Sequence, residues 1–259
     1  MKDGATIPSD ENSDLPSNDG EDRIVAAIAH LAASAARDGK APGQTSSSWQ
    51  EACLREWAAS LEVLLDAEEY ASRALRGGQE HDVIFEEDRC IKITRDGVFG
   101  LAPGIELALV AKGDEARRFH LWEATPLQYL ERLFLQNELT PGLNQLLGVL
   151  VQPGEISLVI SQPRFDLNPA TQAEIDAWFQ GQGFARVTTA AYYREEDNLG
   201  IFDAHDKNVV KATFDPSILI PFDVIPVRPD GGFLDFIRDT LRAGDGLVVV
   251  RTTHSGSGS

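Results

Sequence analysis

Residues 202–210, Phe-Asp-Ala-His-Asp-Lys-Asn-Val-Val, place a polar loop directly before an apolar, strand-like segment. Within that loop Asp203 precedes Asn208 by five residues. Further along, Asp223 stands inside another apolar stretch, between Phe222 and Val224. An aspartate in such a setting is costly to bury without a partner. Asp223 is therefore the hardest residue of this set to explain as an ordinary surface side chain.

The spacing of these three residues matches the needs of phosphoryl transfer. A carboxylate such as Asp203 must accept or orient the proton of an attacking hydroxyl, and an amide oxygen such as that of Asn208 must reach a magnesium ion on the phosphates. A second carboxylate, fifteen residues after Asn208, can bridge magnesium to the β- and γ-phosphates. The spacing is therefore that of a kinase catalytic loop.

Three features that occur earlier in the chain come in the order in which kinases carry the elements of their nucleotide site. Gly77-Gly78 lies before a predicted hairpin, where a glycine-rich loop would cover phosphates. Lys92 lies within the apolar strand Cys90–Ile93 and points to the opposite face from its neighbours. Glu131 falls on a predicted helix, where it could orient Lys92. The sequence therefore predicts a phosphate-binding lysine on a strand.

Each feature also has a plainer explanation. The Asp–Asn loop could be a chance match on the surface, and His205 within it could be a structural histidine. Lys92 could protect an edge strand, and Gly77-Gly78 could only cap a helix. Glu131 could belong to a solvated helix face. The order of the elements along the chain, more than any one of them, favours the phosphotransferase interpretation.

The composition narrows the partners and the compartment. The formal net charge of −18 disfavours nucleic acid and anionic membrane surfaces as partners. No apolar run approaches the roughly 20 residues that span a bilayer, and the acidic N-terminus is unlike a secretory signal. Cys53 and Cys90 have no metal-ligand spacing, so they indicate ordinary thiols in a reducing, cytoplasmic compartment.

The periodicity of apolar residues predicts helices and short strands in an α+β arrangement. An N-cap at Ser48, with Glu51 as its capping-box partner, would open a helix that runs to about Leu75. Residues 96–118 look irregular. The other predicted helices are Arg23–Arg37, Pro126–Glu138, a helix capped by Asn168, and Phe233–Arg242; the predicted strands are Val83–Phe85, Cys90–Ile93, Ile156–Ile160, Phe184–Val187, Leu199–Phe202, Val209–Phe214, Ile218–Ile225 and Leu247–Val250.

Over about residues 50–230 the chain resembles the serine/threonine/tyrosine kinase-like domains of polyvalent proteins, which occur in phages and mobile elements. The Asp-x-His-x-x-Asn form of the loop is also similar to that of aminoglycoside phosphotransferases. The resemblance rests on Gly-Gly-Gln-Glu-His at 77–81, Ile91-Lys92-Ile93-Thr94, Ala124-Thr125-Pro126 with Tyr129-Leu130, Ser161-Gln162-Pro163, and Asp203-Ala204-His205 with Asn208.

The resemblance implies a minimal bilobal fold, with a small β-rich N-lobe at about 76–160 and a reduced C-lobe at about 161–250. It implies a kinase-like domain at 49–250, preceded by a disordered acidic tail (1–22) and by a helix and linker (23–48), and followed by a tail at 251–259.

The resemblance also implies roles for individual residues, with ATP and Mg²⁺ as cofactors. Lys92 would pair the α- and β-phosphates, and Asp203 would be the catalytic base. Asn208 and Asp223 would be the metal ligands. Ser161 and Gln162 would follow the strand that leads to the adenine-binding hinge.

Some positions depart from the kinase pattern. No arginine directly precedes Asp203, and Val224-Ile225 rather than Phe-Gly follows Asp223. The short segment after Asp223 leaves no room for the usual activation segment and helical substrate platform, so the substrate is expected to dock elsewhere. Three functions stay open: a kinase for protein hydroxyls, a kinase for small hydroxyl compounds, and a pseudokinase or nucleotide-binding interaction module.

Overall fold

The computed structural model describes residues 19–78, 80–109, 115–152, 155–165, 168–244 and 248–250. The helices in these ranges are α1 (Asp19–Arg37), α2 (Ser47–Ser60), α3 (Ala67–Arg73), α4 (Pro126–Leu139), α5 (Gln172–Gly181) and α6 (Gly231–Ala243). The strands are β1 (Leu64–Leu65), β2 (Leu75–Arg76), β3 (His81–Phe85), β4 (Arg89–Thr94), β5 (Leu101–Leu109), β6 (Glu115–Glu123), β7 (Gln145–Val151), β8 (Ile156–Pro163), β9 (Ala185–Thr188), β10 (Ala191–Arg194), β11 (Leu199–Phe202), β12 (Val209–Lys211), β13 (Leu219–Pro221), β14 (Ile225–Val227) and β15 (Val248–Val250).

The N-lobe is built on a sheet with the strand order β1-β7-β8-β4-β3-β2. Its neighbouring strands are antiparallel, except that β1 runs parallel to β7. One face of the sheet packs against α1, α2 and α4. The buried side chains of these helices include Ile24, Leu54 and Leu130. Each fully buried side chain of this size contributes about 1.5–3 kcal/mol of transfer free energy. This core fixes α4 against the sheet, which matters for the site below.

The C-lobe is built on the sheet β14-β11-β10-β9 and the separate hairpin β12–β13. Side chains alternate across this sheet, as a period of two requires. Tyr192 packs with Ile175 and Phe179 of α5, whereas Tyr193 on the other face packs with Ile237 of α6. The expected α+β, two-lobed fold is therefore confirmed.

The segment predicted to be irregular, 96–118, instead carries a long antiparallel hairpin made by β5 and β6. Pro103 and Gly104 break its apolar pattern, which hides the strands from a periodicity argument. The glycine has a packing reason, because a Cβ at Gly104 would lie 3.0 Å from the Trp122 side chain. The hairpin packs on the C-lobe, where the Phe119 ring lies 5.6 Å from that of Phe202.

Local signals predicted several elements correctly. The hairpin of β3 and β4 is present, with Ile84 opposite Ile91. Helix α4 begins after Thr125, whose side chain accepts the amide of Gln128 in a capping box, with Pro126 in the first turn.

The predicted helix from Ser48 to Leu75 is wrong at both ends. Ser46, not Ser48, is the N-cap, and the predicted capping partner Glu51 accepts the Ile156 amide instead. The helix ends at Ser60 because the chain turns into β1, where the Val149 amide donates to the Val63 carbonyl and extends the sheet.

Asn168 does not cap α5; Thr171 does, in a capping box with Glu174. The preceding residues instead run beside β12, where Pro169 bridges Val210. Strands β7 and β10 were not predicted. The single strand predicted at 218–225 is two strands, β13 and β14, which are separated at Phe222-Asp223.

Helix α1 begins at Asp19, earlier than the predicted start at Arg23. It shares the N-lobe core, because Ile24, Ala27 and Leu31 pack in the same buried cluster as Leu146. Residues 1–18 and 251–259, which include most of the predicted acidic tail and the whole predicted C-terminal tail, lie outside the described residues. None of the helices in the described ranges combines the length and hydrophobicity that a bilayer-crossing segment requires.

Candidate active site

Strand β4 carries Lys92 into the space between the lobes. Ile91 and Ile93 are buried on the opposite face of the strand, in a cluster with Ile84. The alternation of the strand therefore turns Lys92 toward the C-lobe. There its Nζ lies 3.1 Å from the Asp223 Oδ1 atom.

The loop after β11 holds Asp203 by its backbone and its side chain together. Asp203 has a φ of 59°, which lies in the left-handed region that non-glycine residues rarely adopt. The side-chain Nδ2 atom of Asn208 donates at 2.8 Å to the Asp203 carbonyl oxygen and at 2.8 Å to the Asp203 Oδ2 atom. Strain of this kind is found where the surrounding structure determines it, often at functional sites.

His205 lies beside the other oxygen of the same carboxylate. Its Nε2 atom lies 3.3 Å from the Asp203 Oδ1 atom. Its Nδ1 atom accepts the Lys207 amide at 3.1 Å. Asn208 and His205 thus lie next to different oxygens of the Asp203 carboxylate.

The hairpin β12–β13 places Asp223 beside Asn208. Val209 pairs with Pro221 in this hairpin. Asn208, directly before Val209, is therefore close to Asp223, which follows Pro221 by two residues. The amides of Phe222 and Asp223 both donate to the Asn208 carbonyl, at 3.1 and 3.4 Å. Residues fifteen apart in sequence are therefore joined through their backbones.

The charge state of Asp223 is set by two cations. Burial pushes its pKa up, but Lys92 and Arg132 outweigh that effect and hold the pKa well below its ordinary value. Arg132, from α4, reaches Asp223 Oδ1 at 3.2 Å and Glu80 Oε2 at 3.0 Å. Asp223 is therefore ionised at neutral pH.

A cleft of about 200 Å³ between the lobes brings these groups together. Gly78 lines one wall, and Lys92, Asp203, Asn208 and Asp223 line the others. These five are predicted site residues, and they come from the β2–β3 turn, β4, the loop after β11 and the segment between β13 and β14.

Residues 112–220 match the family model described as "Serine/Threonine/Tyrosine Kinase found in polyvalent proteins". The matched range includes Asp203 and Asn208, which line the cleft. Over this range the chain is similar to that family of kinase-like domains. No curated protein and no solved structure matches the chain.

The glutamate predicted as the partner of Lys92 is not the partner observed. Glu131 does not line this cleft; it lies in the wall of a mostly apolar cavity of about 450 Å³ that α1, β5, β14 and Arg132 also line. Desolvation raises the pKa of its carboxyl. The expected ion pair between Glu131 and Lys92 is replaced by the pair of Lys92 with Asp223.

Three other predicted site residues do not line the cleft. A Cβ at Gly77 would lie 2.5 Å from the His81 carbonyl oxygen, so this glycine serves the tight β2–β3 turn. Ser161 is buried in β8 and accepts a hydrogen bond from Arg89 Nε. The Gln162 amide donates to Asn144 Oδ1 at 2.6 Å and to the Phe222 carbonyl at 3.2 Å, which ties β8 to the residue before Asp223.

Glu80, His81 and Arg132 also line the cleft but were not predicted as site residues. His81 Nε2 lies 2.7 Å from the Tyr129 hydroxyl, and burial, with the nearby Lys92 charge, lowers the pKa of His81 to about 3. It is therefore a neutral hydrogen-bonding residue. The spacing of Tyr129 and Arg132, three residues apart, puts both on one helix face and could have indicated them.

The cleft has oxygen donors that suit a magnesium ion. Mg²⁺ is usually held by one or two protein carboxylates together with substrate phosphates and water. The cleft offers Asp223, whose Oδ2 atom has no protein partner within the described ranges, and the side-chain oxygen of Asn208 beside it. The described residues contain no cluster of three or more acidic, His or Cys side chains for a metal, so phosphates would have to complete the coordination.

Proposed function

We propose that this protein is an ATP- and magnesium-dependent phosphotransferase that phosphorylates hydroxyl groups of proteins. One observation carries the proposal. Lys92, Asp203, Asn208 and Asp223 come from separate elements, yet all four line one cleft between the lobes. Kinase catalysis needs this set of charges, a lysine, a base and two metal-binding groups, around one phosphate chain.

The reaction would be an in-line transfer of the γ-phosphoryl group. A bond forms between the hydroxyl oxygen of the substrate and the γ-phosphorus, and the bond from that phosphorus to the β,γ-bridging oxygen breaks. ADP leaves with the electron pair. The proton of the hydroxyl passes to the Asp203 carboxylate. Positioning and charge stabilisation account for most of the catalysis in such reactions.

Asp203 is suited to the role of the base. Asn208 fixes one carboxylate oxygen at 2.8 Å, and the His205 Nε2 atom lies 3.3 Å from the other. These contacts hold the carboxylate toward the cleft before a substrate arrives. A preoriented base avoids the cost of ordering it during the reaction.

Lys92 would leave Asp223 for the phosphates when nucleotide enters. Its side chain is only 12% exposed, so few other anions can reach it. Asp223 and Asn208 would hold a magnesium ion that binds with the nucleotide, and that ion would supply neutralisation of the phosphate charge. Gly78 in the β2–β3 turn adds no side chain to the cleft, which leaves room for the phosphates.

Nucleotide binding is tested first, by thermal unfolding with and without Mg·ATP. Ligand at 100 times its dissociation constant stabilises a protein by about 2.7 kcal/mol. For a chain of this size that is a rise in Tm of roughly 5–10 °C. We expect the rise to require magnesium and to disappear in Asp223→Ala. A Tm that stays constant at every nucleotide concentration would exclude the proposal.

Transfer is tested next, with radiolabelled ATP and separate panels of protein and small hydroxyl substrates. Asp203→Ala should abolish transfer and spare Mg·ATP binding. The control is Asp206→Ala, because Asp206 is in the same loop but its side chain is 66% exposed. Transfer to small hydroxyl compounds alone would favour a small-molecule kinase. Binding without any transfer would favour the nucleotide-binding interaction module.

A further inference from the structure

Arg132, on helix α4, lines the cleft, where the sequence analysis predicted Glu131. The side chain of Arg132 is only 5% exposed. Its Nη1 atom lies 3.0 Å from Glu80 Oε2, and its Nη2 atom lies 3.2 Å from both the carbonyl and the Oδ1 atom of Asp223. Arg132 therefore joins the β2–β3 turn to the carboxylate that is the candidate metal ligand.

The two cations at Asp223 bind the same oxygen. Lys92 Nζ and Arg132 Nη2 both contact Oδ1, at 3.1 and 3.2 Å. Within the described ranges the Oδ2 atom of Asp223 has no hydrogen bond or ion pair, although the residue lines the cleft. One oxygen is thus used to hold the side chain, and the other is available to a ligand in the cleft.

We propose that Arg132 is a positioning residue that holds Asp223 in the geometry for binding magnesium. The inference rests on the proposed function. Lys92 shares Oδ1 with Arg132 while the cleft is empty and moves to the phosphates when nucleotide binds. Arg132 keeps Asp223 in place through that change, so the Oδ2 atom stays available to a metal in the cleft.

The chemistry of arginine suits this task. Its planar guanidinium can bind two carboxylates at once through separate nitrogens, which a lysine ammonium cannot do with the same geometry. Glu80 binds the guanidinium through Nη1, whereas Asp223 binds it through Nη2. A second contact, between His81 and Tyr129, holds the same turn to α4 at 2.7 Å. The supporting residues of a metal ligand commonly change metal affinity by 10–100-fold when they are removed.

An opposite role for Arg132 makes an opposite prediction. If Arg132 only competed with magnesium for the Asp223 carboxylate, its loss would remove a repelling charge and strengthen magnesium binding. If Arg132 positions Asp223, its loss weakens magnesium binding. The sign of the change in magnesium requirement therefore separates the two roles.

The experiment measures the MgCl₂ concentration that gives half of the ADP-dependent rise in Tm, at saturating ADP. We expect this concentration to increase by about 10-fold or more in Arg132→Lys and in Arg132→Met. Glu80→Gln should change it in the same direction by a smaller factor. The matched control is Arg228→Lys, because Arg228 pairs with Glu138 of α4 at 2.8 Å outside the cleft.

Arg132→Met removes the cation that pairs with Glu80 and leaves Asp223 with Lys92 alone, so this variant could fail to fold. Arg132→Lys keeps the charge, so it and Glu80→Gln decide the question in that case, with circular dichroism as the check on folding. An unchanged or lower magnesium requirement in Arg132→Lys overturns the inference while the proposed function stands. A lack of any magnesium-dependent ADP effect in the unmutated chain overturns both.

Discussion

Lys92 and Asp223 lie 131 positions apart in the chain, yet their side chains form an ion pair of 3.1 Å. The pair joins strand β4 of the N-lobe to the segment that follows the β12–β13 hairpin of the C-lobe. Lys92 Nζ also lies 5.7 Å from the centre of the Phe222 ring. The contact therefore connects the lobes directly across the cleft, and its strength can be measured without any ligand.

The first prediction concerns that pair. Lys92→Met should lower the free energy of unfolding by roughly 1–2 kcal/mol, because Asp223 keeps Arg132 but loses one cation in a partly desolvated site. Lys92→Met combined with Asp223→Asn should cost less than the two single changes together. Urea unfolding of the unmutated protein, the two single variants and the double variant at neutral pH gives the coupling free energy between Lys92 and Asp223. Additive effects would mean that the pair contributes nothing to stability.

The second prediction separates backbone from chemistry at Asp203. Asp203→Ala and Asp203→Gly both remove the carboxylate, so neither should transfer phosphate. Because the residue has a φ of 59°, the glycine variant should be the more stable of the two by about 1 kcal/mol. Urea unfolding measures the difference. An alanine variant as stable as the glycine variant would argue against the left-handed conformation.

The third prediction concerns acid stability. Burial, with the Lys92 charge, lowers the pKa of His81 from 6.5 to about 3, so the folded protein binds fewer protons here than the unfolded chain between those values. The stabilisation that neutral His81 contributes is fully present above the pKa of the unfolded chain, 6.5, and is lost as the pH falls below that value. The loss should be about 1.5 kcal/mol between about pH 6.5 and pH 5.

The comparison for His81 is His81→Gln, since glutamine can still hydrogen-bond the Tyr129 hydroxyl but does not titrate. Urea unfolding of both proteins at several pH values in that window isolates the contribution of His81. The carboxyl groups affect both proteins alike, so they cancel in the difference. Parallel pH profiles for the two proteins would show that His81 is not buried in its neutral form.

The fourth prediction contrasts the neighbouring glycines of the β2–β3 turn. A Cβ at Gly77 would lie 2.5 Å from a backbone oxygen, whereas a Cβ at Gly78 would meet nothing within 4 Å. Gly77→Ala should therefore destabilise the protein by about 1–3 kcal/mol, and Gly78→Ala should leave stability nearly unchanged. Thermal unfolding of both variants is the measurement. Equal effects would contradict the turn geometry.

The elements that the sequence predicted best are those with local determinants. The capping box of Thr125 and Gln128 starts α4, and the β3–β4 hairpin follows from alternation around a polar turn. The spacing of Asp203 and Asn208 is also local, because five residues of one loop suffice to bring the two side chains within 2.8 Å. Such features need no information about the rest of the chain.

Nonlocal pairing was the main source of error. The β5–β6 hairpin is interrupted in sequence by Pro103 and Gly104, and its strands are stabilised by partners on the C-lobe such as Phe202. Asn168 looked like a helix cap because asparagine often is one, yet its carbonyl accepts the Lys211 amide beside β12. A cap preference of about 1 kcal/mol is easily outweighed by tertiary contacts.

The sequence by itself determined which charged and polar groups the chain has for phosphoryl chemistry and in what order they occur. Only the tertiary structure decided which of them meet. Adjacent residues on a helix point about 100° apart, so the docking of α4 on the N-lobe sheet brings Arg132 to the cleft and leaves Glu131 only in the wall of the neighbouring cavity, which Arg132 also lines. That docking depends on the buried contacts of α1, α2 and the sheet, which are spread over the chain and carry no local signal.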